Sequence, residues 1–593
     1  MRIPSYICFY ISSYISSYRL ADLRRLTRHQ VVLGLLLLAA GGIFARAIYL
    51  QLINKDFLQE QGNERYLRTV AIPAHRGMVL DRNGEPLAVS SPVDSIWVVP
   101  ELLLANPDRL PLLAQTLGMK AGELERRLSD HEEREFFYLR RHLTPDLAQR
   151  VLNLQIPGVY SQREYRRYYP TAEITSHLLG FTDIDDAGQE GLELGMNERL
   201  QGVPGSKRVI RDRLGHIVED VEVLRVPEPG KPLTLSIDRR VQYVAYRALK
   251  EAVLERQASG ASAVVLDVAT GEILAMVNQP AGNPNDRRQL NAALLRNRAV
   301  TDIFEPGSTM KPFTAALALE SGAYRPETPI DTSPGVLQVG RYTVKDVHNY
   351  GRIDVTRVIS KSSNVGISKI ALSMPAQKLW DLYHRLGFGT LSGLGFAGEQ
   401  AGLLKPYSTW GAIGHANNAF GYGISVNILQ LAQAYAVLAS GGVRRPLSLL
   451  RRDKPPEEEV RLLSEDTTRK IRAMLELAVS EAGTGAKATV PGYRVAGKTG
   501  TVHKTAHGRY SPDRYRSLFA GMVPASRPRL VCVVVIDEPH RGGYYGGAIA
   551  APVFSQIMEA TLRILNVPPD AIPSQNLVVV GKAEKGTAAE TAQ

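Results

Sequence analysis

Apolar and polar positions alternate with different periods along the chain. Residues 31–45 are apolar and uncharged. Carried on through Arg46 to Leu52, at about 1.5 Å per residue, they make a helix long enough for a hydrocarbon core of about 30 Å. Arg46, near one end, can extend its charge to the interface. Asn83-Gly84 between two apolar runs predicts a hairpin turn, and residues 101–153, Leu-rich at helical spacing among many charges, predict short amphipathic helices. Pro227-Glu228-Pro229-Gly230 reads as a linker, followed by a strand over 232–238. Residues 262–267 and 272–278 predict an antiparallel hairpin about Thr270-Gly271. Residues 494–502, 517–523 and 530–537 predict three more strands, and 551–565 a closing amphipathic helix. Strands, then helices, then strands place the chain in the α/β (α+β) class, with a mostly antiparallel sheet covered by helices.

Composition sharpens this outline. At 593 residues the chain exceeds what one core supports, and an apolar content of 44% is ordinary for a globular protein. The net charge of +12 is not gathered into a basic stripe interleaved with aromatics, so it predicts a basic surface and no nucleic-acid partner. Cys8 and Cys532 are the only cysteines, which excludes a disulfide framework, and Cys532 in the apolar run 530–536 reads as buried strand. Five arginines and one acidic residue precede position 31, whereas Lys55, Arg65 and Arg68 are balanced by Asp56, Glu60 and Glu64. That asymmetry predicts a cytoplasmic tail (1–30), a single anchor (31–52) and everything later outside the membrane. A cleaved signal peptide with Ala45-Arg46-Ala47 as its site competes, but the Arg within that site and the apolar helix beyond it favour an uncleaved anchor. Residues 53–230 then form a non-catalytic pedestal, in which the clusters 163–170 and 188–193 read as turns and salt bridges. Residues 231–570 form the catalytic part, and 571–593 have a disordered composition.

The chemistry centres on Ser308 and Lys311, the only Ser-x-x-Lys in the chain. Pro312 is tolerated only in the first turn of a helix, so a helix begins close to Ser308, and residues three apart share a face, which brings the Lys311 amine toward the hydroxyl. A hydroxyl beside an amine is a candidate nucleophile and base. Further on stand Ser362-Ser363-Asn364 and Lys498-Thr499-Gly500-Thr501, which taken alone are a helix cap and a strand end. Their order after Ser-x-x-Lys is the signature of penicillin-binding proteins and class A β-lactamases. His131-Glu132-Glu133-Arg134-Glu135 begins like a zinc-protease motif but has Glu where the second His belongs, and reads as a solvated helix. The other histidines do not cluster, and no metal is predicted.

Residues 76–84 (Arg-Gly-x-x-x-Asp-Arg-Asn-Gly), 188–193, Phe420-Gly421-Tyr422-Gly423 and Ala496-Gly497 extend the match. With the single anchor, the chain resembles the class B penicillin-binding proteins of the division-type (septal, FtsI-like) branch, from about residue 31 to about 570. The resemblance implies a penicillin-binding transpeptidase (serine β-lactamase-like) fold, no cofactor, cross-linking of peptidoglycan stem peptides, and acylation by β-lactam antibiotics. It implies Ser308 as nucleophile, Lys311 as its base with a pKa lowered by a helix N-terminus and by Lys498, Ser362 as proton relay, and Asn364 as holder of Lys311 and the substrate amide. Lys498, Thr499 and Thr501 would bind the substrate carboxylate, Gly500 would let a substrate strand lie against the edge, and the N–H groups of Ser308 and Thr501 would form the oxyanion hole. Tyr422, Tyr515, Tyr544 and Tyr545 match an apolar wall of the cleft. Val502-His503 replaces a small residue followed by Arg in many relatives, and residues 505–513 read as a polar loop. The resemblance further implies a bacterial inner-membrane protein with a periplasmic catalytic domain, beside a SEDS-family glycosyltransferase and other divisome membrane proteins. A β-lactamase is typically smaller, soluble and equipped with a hydrolytic base that no motif identifies here. A D,D-carboxypeptidase, and a division scaffold or β-lactam sensor, remain alternatives.

Overall fold

The computed structural model describes residues 28–55, 67–211, 217–286, 288, 291–506 and 509–571. Most of the expected N-terminal tail and the expected disordered C-terminus lie outside them.

The chain divides into two compact units. One comprises residues up to Ile72 together with Pro204–Pro227. Among the described residues it holds the one helix long and apolar enough to cross a membrane, Arg28–Ile53. This is α-helical over Arg28–Ile48 and widens into a π-helical turn over Tyr49–Ile53. Strands Leu67–Ile72, Gly205–Arg211 and Ile217–Arg225 follow as a three-stranded antiparallel sheet with the second in the middle.

The second unit comprises Pro73–Val203 and everything from Glu228 onward. At its centre lies a five-stranded sheet of β1 (Gly260–Asp267), β2 (Ile273–Gln279), β3 (Ala496–Ala506), β4 (Arg509–Val523) and β5 (Leu530–Asp537), in the order β2-β1-β5-β4-β3 with every neighbour antiparallel. The two faces go to two cores because side chains alternate along a strand. Ala263, Val265, Cys532 and Val534 pack against α1 (Arg239–Arg256) and α6 (Gly546–Ile564). Val264, Leu266, Val531 and Val533 join the core that also takes in α2 (Lys311–Glu320), α3 (Asn364–Leu372), α4 (Ile428–Ala439) and α5 (Glu465–Val479). Burial on both faces explains why β5 is one continuous apolar run, as expected for Cys532. It leaves β3 as an edge strand.

The expected hairpin at Asn83-Gly84 is present between Val79–Leu80 and Pro86–Val98, with Gly84 in the left-handed region (φ 88) that its turn requires. Elsewhere long-range pairing overrides local pattern. Phe137–Leu143, inside the stretch expected to be all helix, is a strand, and so is Val159–Tyr168 where turns were expected; both pair antiparallel with Pro86–Val98. Only Leu233–Thr234 of the expected strand at 232–238 is regular, and it pairs parallel with Val79–Leu80 instead of joining the catalytic sheet. The Pro-rich linker is pinned, Glu228 bridging to Val203 and Gly230 N donating to His75 O at 2.8 Å. His131 lies just past a helix that ends at Ser129, in a turn. The stretch read as a polar loop is largely the outer end of the β3–β4 hairpin, which pairs Thr505 with Tyr510 and Ala506 with Arg509.

Candidate active site

Ser308 sits in a single 3₁₀ turn, Gly307–Met310, that runs straight into α2, whose second residue is Pro312. The turn is clamped from several sides: Gly307 N donates to Gly421 O at 3.0 Å, Thr309 Oγ1 to Pro306 O at 2.7 Å, and the buried Tyr435 hydroxyl to Thr309 O at 2.9 Å. Gly421 has to be glycine, since a Cβ there would lie 2.2 Å from Gly307 O. Ser308 is the one residue of the stretch 306–310 that keeps partial exposure.

One helical turn on, Lys311 is fully buried. Its amine donates to Ser362 O at 2.5 Å, Ser362 Oγ at 3.1 Å and Asn364 Oδ1 at 2.7 Å, and none of these hydrogen bonds goes to Ser308. Ser362 is held at φ 62, a left-handed conformation costing a non-glycine residue on the order of 1 kcal/mol, and both its oxygens then meet Lys311. Asp346 holds this arm. Its carboxylate accepts from Asn364 N at 2.5 Å, Val365 N at 3.0 Å and Ser363 Oγ at 2.5 Å, while Ser363 caps α3 by accepting from Gly366 N at 2.8 Å. Asn364 Nδ2 donates to Lys345 O at 2.9 Å, which turns Oδ1 toward Lys311. Nothing in the sequence marks Asp346, because its partners lie on an element that only the fold brings near.

Lys498 is fully buried on β3, and its amine donates to Thr499 O at 3.2 Å and, more weakly, to Thr499 Oγ1 at 3.4 Å. Burial lowers its pKa to about 7. Lys311 lies well below the ordinary lysine value, through burial first and the Lys498 charge second, with Asp346 pulling the other way. The expected Lys498 effect is thus present but secondary to burial. Gly500 also meets a need that the sequence did not indicate. Its absent side chain points at the nucleophile turn, where a Cβ would lie 3.1 Å from Pro306 O and Thr309 Cγ2. The edge strand therefore lies close against Ser308's turn. Thr501 Oγ1 accepts from Gly546 N at 2.9 Å, and Thr499 Oγ1 pairs with Thr484 Oγ1 at 2.9 Å.

Three of the four expected wall tyrosines form a ladder, Tyr515 stacked on Tyr544 at 4.0 Å and Tyr544 against Tyr545 at 4.6 Å, with His503 tilted against Tyr515 at 4.4 Å. Tyr422 is not part of it. It packs against Phe420 and edge-on to Tyr510, and burial pushes its hydroxyl up to about 12. Tyr510 donates to Glu305 Oε1 at 3.0 Å, which also accepts from Gly423 N at 2.8 Å. Asp346, Thr484, Tyr510 and Glu305 are the neighbours that motif reading missed. Only Glu305, three residues before the nucleophile, had a local cue.

A serine turn at a helix start, a buried amine and a second lysine on an edge strand form a candidate serine acyltransferase site on a penicillin-recognising fold. The chain belongs to that family: the penicillin binding protein transpeptidase domain matches residues 261–559 and the penicillin-binding protein dimerisation domain residues 71–235. Its relatives make it a class B, FtsI-like member. It is 43% identical to the probable peptidoglycan D,D-transpeptidase PbpC of Pseudomonas aeruginosa, over 92% of this chain and 97% of that one. It is 41% identical to the peptidoglycan D,D-transpeptidase FtsI of Escherichia coli, over 94% and 95%. A peptidoglycan synthetase crystal structure from Bifidobacterium adolescentis superposes with a TM-score of 0.69 at 26% identity, over 86% and 98%.

Proposed function

We propose that the chain is a peptidoglycan D,D-transpeptidase that cross-links stem peptides during septal wall synthesis and is acylated by β-lactams. The observation that carries this reading is the buried Lys311 amine, disfavoured as a cation and bonded to both Ser362 and Asn364. Neutral Lys311 takes the Ser308 proton as Ser308 Oγ attacks the penultimate D-Ala carbonyl. Its present hydrogen bonds avoid Ser308, and a catalytic contact of this kind tightens only when substrate is bound. The N–H groups of Ser308 and Thr501 receive the oxyanion, donors worth about 3 to 4 kcal/mol of barrier each in a comparable hydrolase. The proton returns through Ser362 to the leaving nitrogen, terminal D-Ala departs, and the amine of a second stem peptide attacks the acyl-Ser308. Lys498, Thr499 and Thr501 hold the terminal carboxylate. The substrate lies as an added strand along β3, while Tyr515, Tyr544 and Tyr545 wall the cleft and Tyr422 lines it from the opposite turn.

Residues 1–30 are assigned to the cytoplasm, 31–52 to the inner membrane, 53–230 to a pedestal, 231–570 to the periplasmic catalytic domain and 571–593 to a tail. The polymerase partner is a SEDS-family glycosyltransferase with other divisome membrane proteins, a reading supported by the likeness to the FtsI-like branch.

Fluorescent-penicillin labelling of the detergent-solubilised protein tests the chemistry. Wild type is expected to carry a label that persists for many minutes and Ser308→Ala none. A label lost within seconds would make the protein a β-lactamase, and a label on folded Ser308→Ala would remove Ser308 from its role. Release of D-Ala from a stem-peptide substrate without cross-linked product, in the presence of an acceptor amine, would make it a carboxypeptidase.

A further inference from the structure

The segment from the end of α5 to Gly485 runs beside Thr499 and is fastened to three elements. Lys361, beside Ser362, donates to Ala482 O at 2.8 Å. Thr484 Oγ1 meets Thr499 Oγ1 at 2.9 Å. Thr484 O lies where a Cβ on Gly547, in the first turn of α6, would be at 2.2 Å, so only glycine there admits the strap. Its own backbone returns to α5, Gly485 N donating to Ala478 O at 2.9 Å. Thr484 itself is solvent-exposed, so neither a core position nor a cap explains its hydroxyl.

A hydroxyl carries one proton and two lone pairs. For Thr499 to donate to a substrate carboxylate, its single proton has to point into the cleft and its lone pairs have to be taken up by other donors. Lys498 supplies one donor only weakly, at 3.4 Å. Thr484 is the other group within reach at good distance. We propose that Thr484 is a positioning residue for carboxylate recognition: its hydroxyl donates to Thr499 Oγ1, fixes that rotor, and turns the Thr499 proton toward the substrate's terminal carboxylate. The inference rests on the carboxylate role given above to Lys498 and Thr499. The substrate class it reads is an acyl donor ending in a free carboxylate, D-Ala-D-Ala peptide or penicillin alike.

The test compares second-order acylation of the full-length detergent-solubilised protein by benzylpenicillin and by its methyl ester, in which the carboxylate is masked. Thr484→Val removes the proton at nearly constant volume, and one hydrogen bond to a group meeting a charge makes the expected loss about tenfold with benzylpenicillin. With the ester the loss is expected to be less than twofold. Thr484→Ser keeps the hydroxyl and is expected to restore discrimination to within about twofold of wild type. Equal losses with both ligands, or a Thr484→Ser that behaves like Thr484→Val, would reduce Thr484 to a structural strap and overturn the inference. No loss in Thr484→Val would overturn it as well. Thr499→Val serves as the control. If it discriminates the two ligands and Thr484→Val does not, this inference alone fails. If Thr499→Val does not discriminate them either, the carboxylate assignment beneath it fails.

Discussion

Arg76 and Arg167 in the dimerisation domain are buried, as are Lys311 and Lys498 at the candidate site, yet the two pairs are treated in opposite ways. Both guanidinium groups grip one buried carboxylate, Arg76 Nε at 2.7 Å and Arg167 Nε at 2.6 Å from the two oxygens of Glu193, and Asn197 and Ser90 accept further N–H groups. The two lysines meet only neutral oxygens of Ser362, Asn364 and Thr499, and among the described residues neither has an ion-pair partner. A buried charge has either to be paired or to be neutralised. Arginine cannot give up its proton and is paired; lysine can, and leaving it without an ion-pair partner favours the neutral amine that the proposed base role needs. Paired burial marks structure here, and unpaired burial marks chemistry.

Lys311→Arg strikes hardest at this contrast, because it preserves a long cation while forbidding deprotonation. It is expected to cut penicillin acylation about 10³-fold, on the scale of a lost general base. Stopped-flow acylation rates measure it, and a loss below tenfold would break the claim that a neutral amine is required.

Glu193→Gln attacks the other side by removing the one carboxylate that both buried guanidinium groups bond, leaving only the Asp186 charge nearby. Breaking a buried ion pair in this way costs about 3–5 kcal/mol, read as a large drop in Tm, while Ser308 labelling of the protein that remains folded is expected to persist. An unchanged Tm would show that the pedestal tolerates unpaired charge and that the contrast is not structural.

The smallest effect carries the opposite sign. Removing an unpaired buried cation in Lys498→Gln is expected to stabilise the fold by about 1 kcal/mol near pH 7 while weakening acylation, a trade of activity against stability. The pH dependence follows from the lowered Lys498 value of about 7. Between pH 7 and about 10 the unfolded chain holds a proton that the folded one has released, so wild-type stability rises with pH through that window and the advantage of Lys498→Gln shrinks. Melting curves at pH 6.5 and 9 measure the gap, and a gap that widens with pH would mean that Lys498 is paired after all.

Much of this was legible in the chain. The apolar run from 31 to 52, the strands around Thr270-Gly271 and over 530–537, and the three motifs at Ser308, Ser362 and Lys498 follow from short-range pattern, because period, turn chemistry and motif order are local properties. What the sequence could not contain is which distant segments meet. Phe137–Leu143 and Val159–Tyr168 are strands because Pro86–Val98 runs between them, and ladder hydrogen bonds are made with a partner that no local window includes. In the same way Asp346 became the holder of the Ser362 arm and Thr484 the neighbour of Thr499 only through folding, and Gly500 proved to face the nucleophile turn. Tyr422 parted from the other three tyrosines because residue type does not determine which ring it will meet. The sequence determined which chemical groups were present and in what order. Tertiary structure decided their burial and their partners, and burial without an ion-pair partner is what disfavours the Lys311 cation, as its proposed role as base requires.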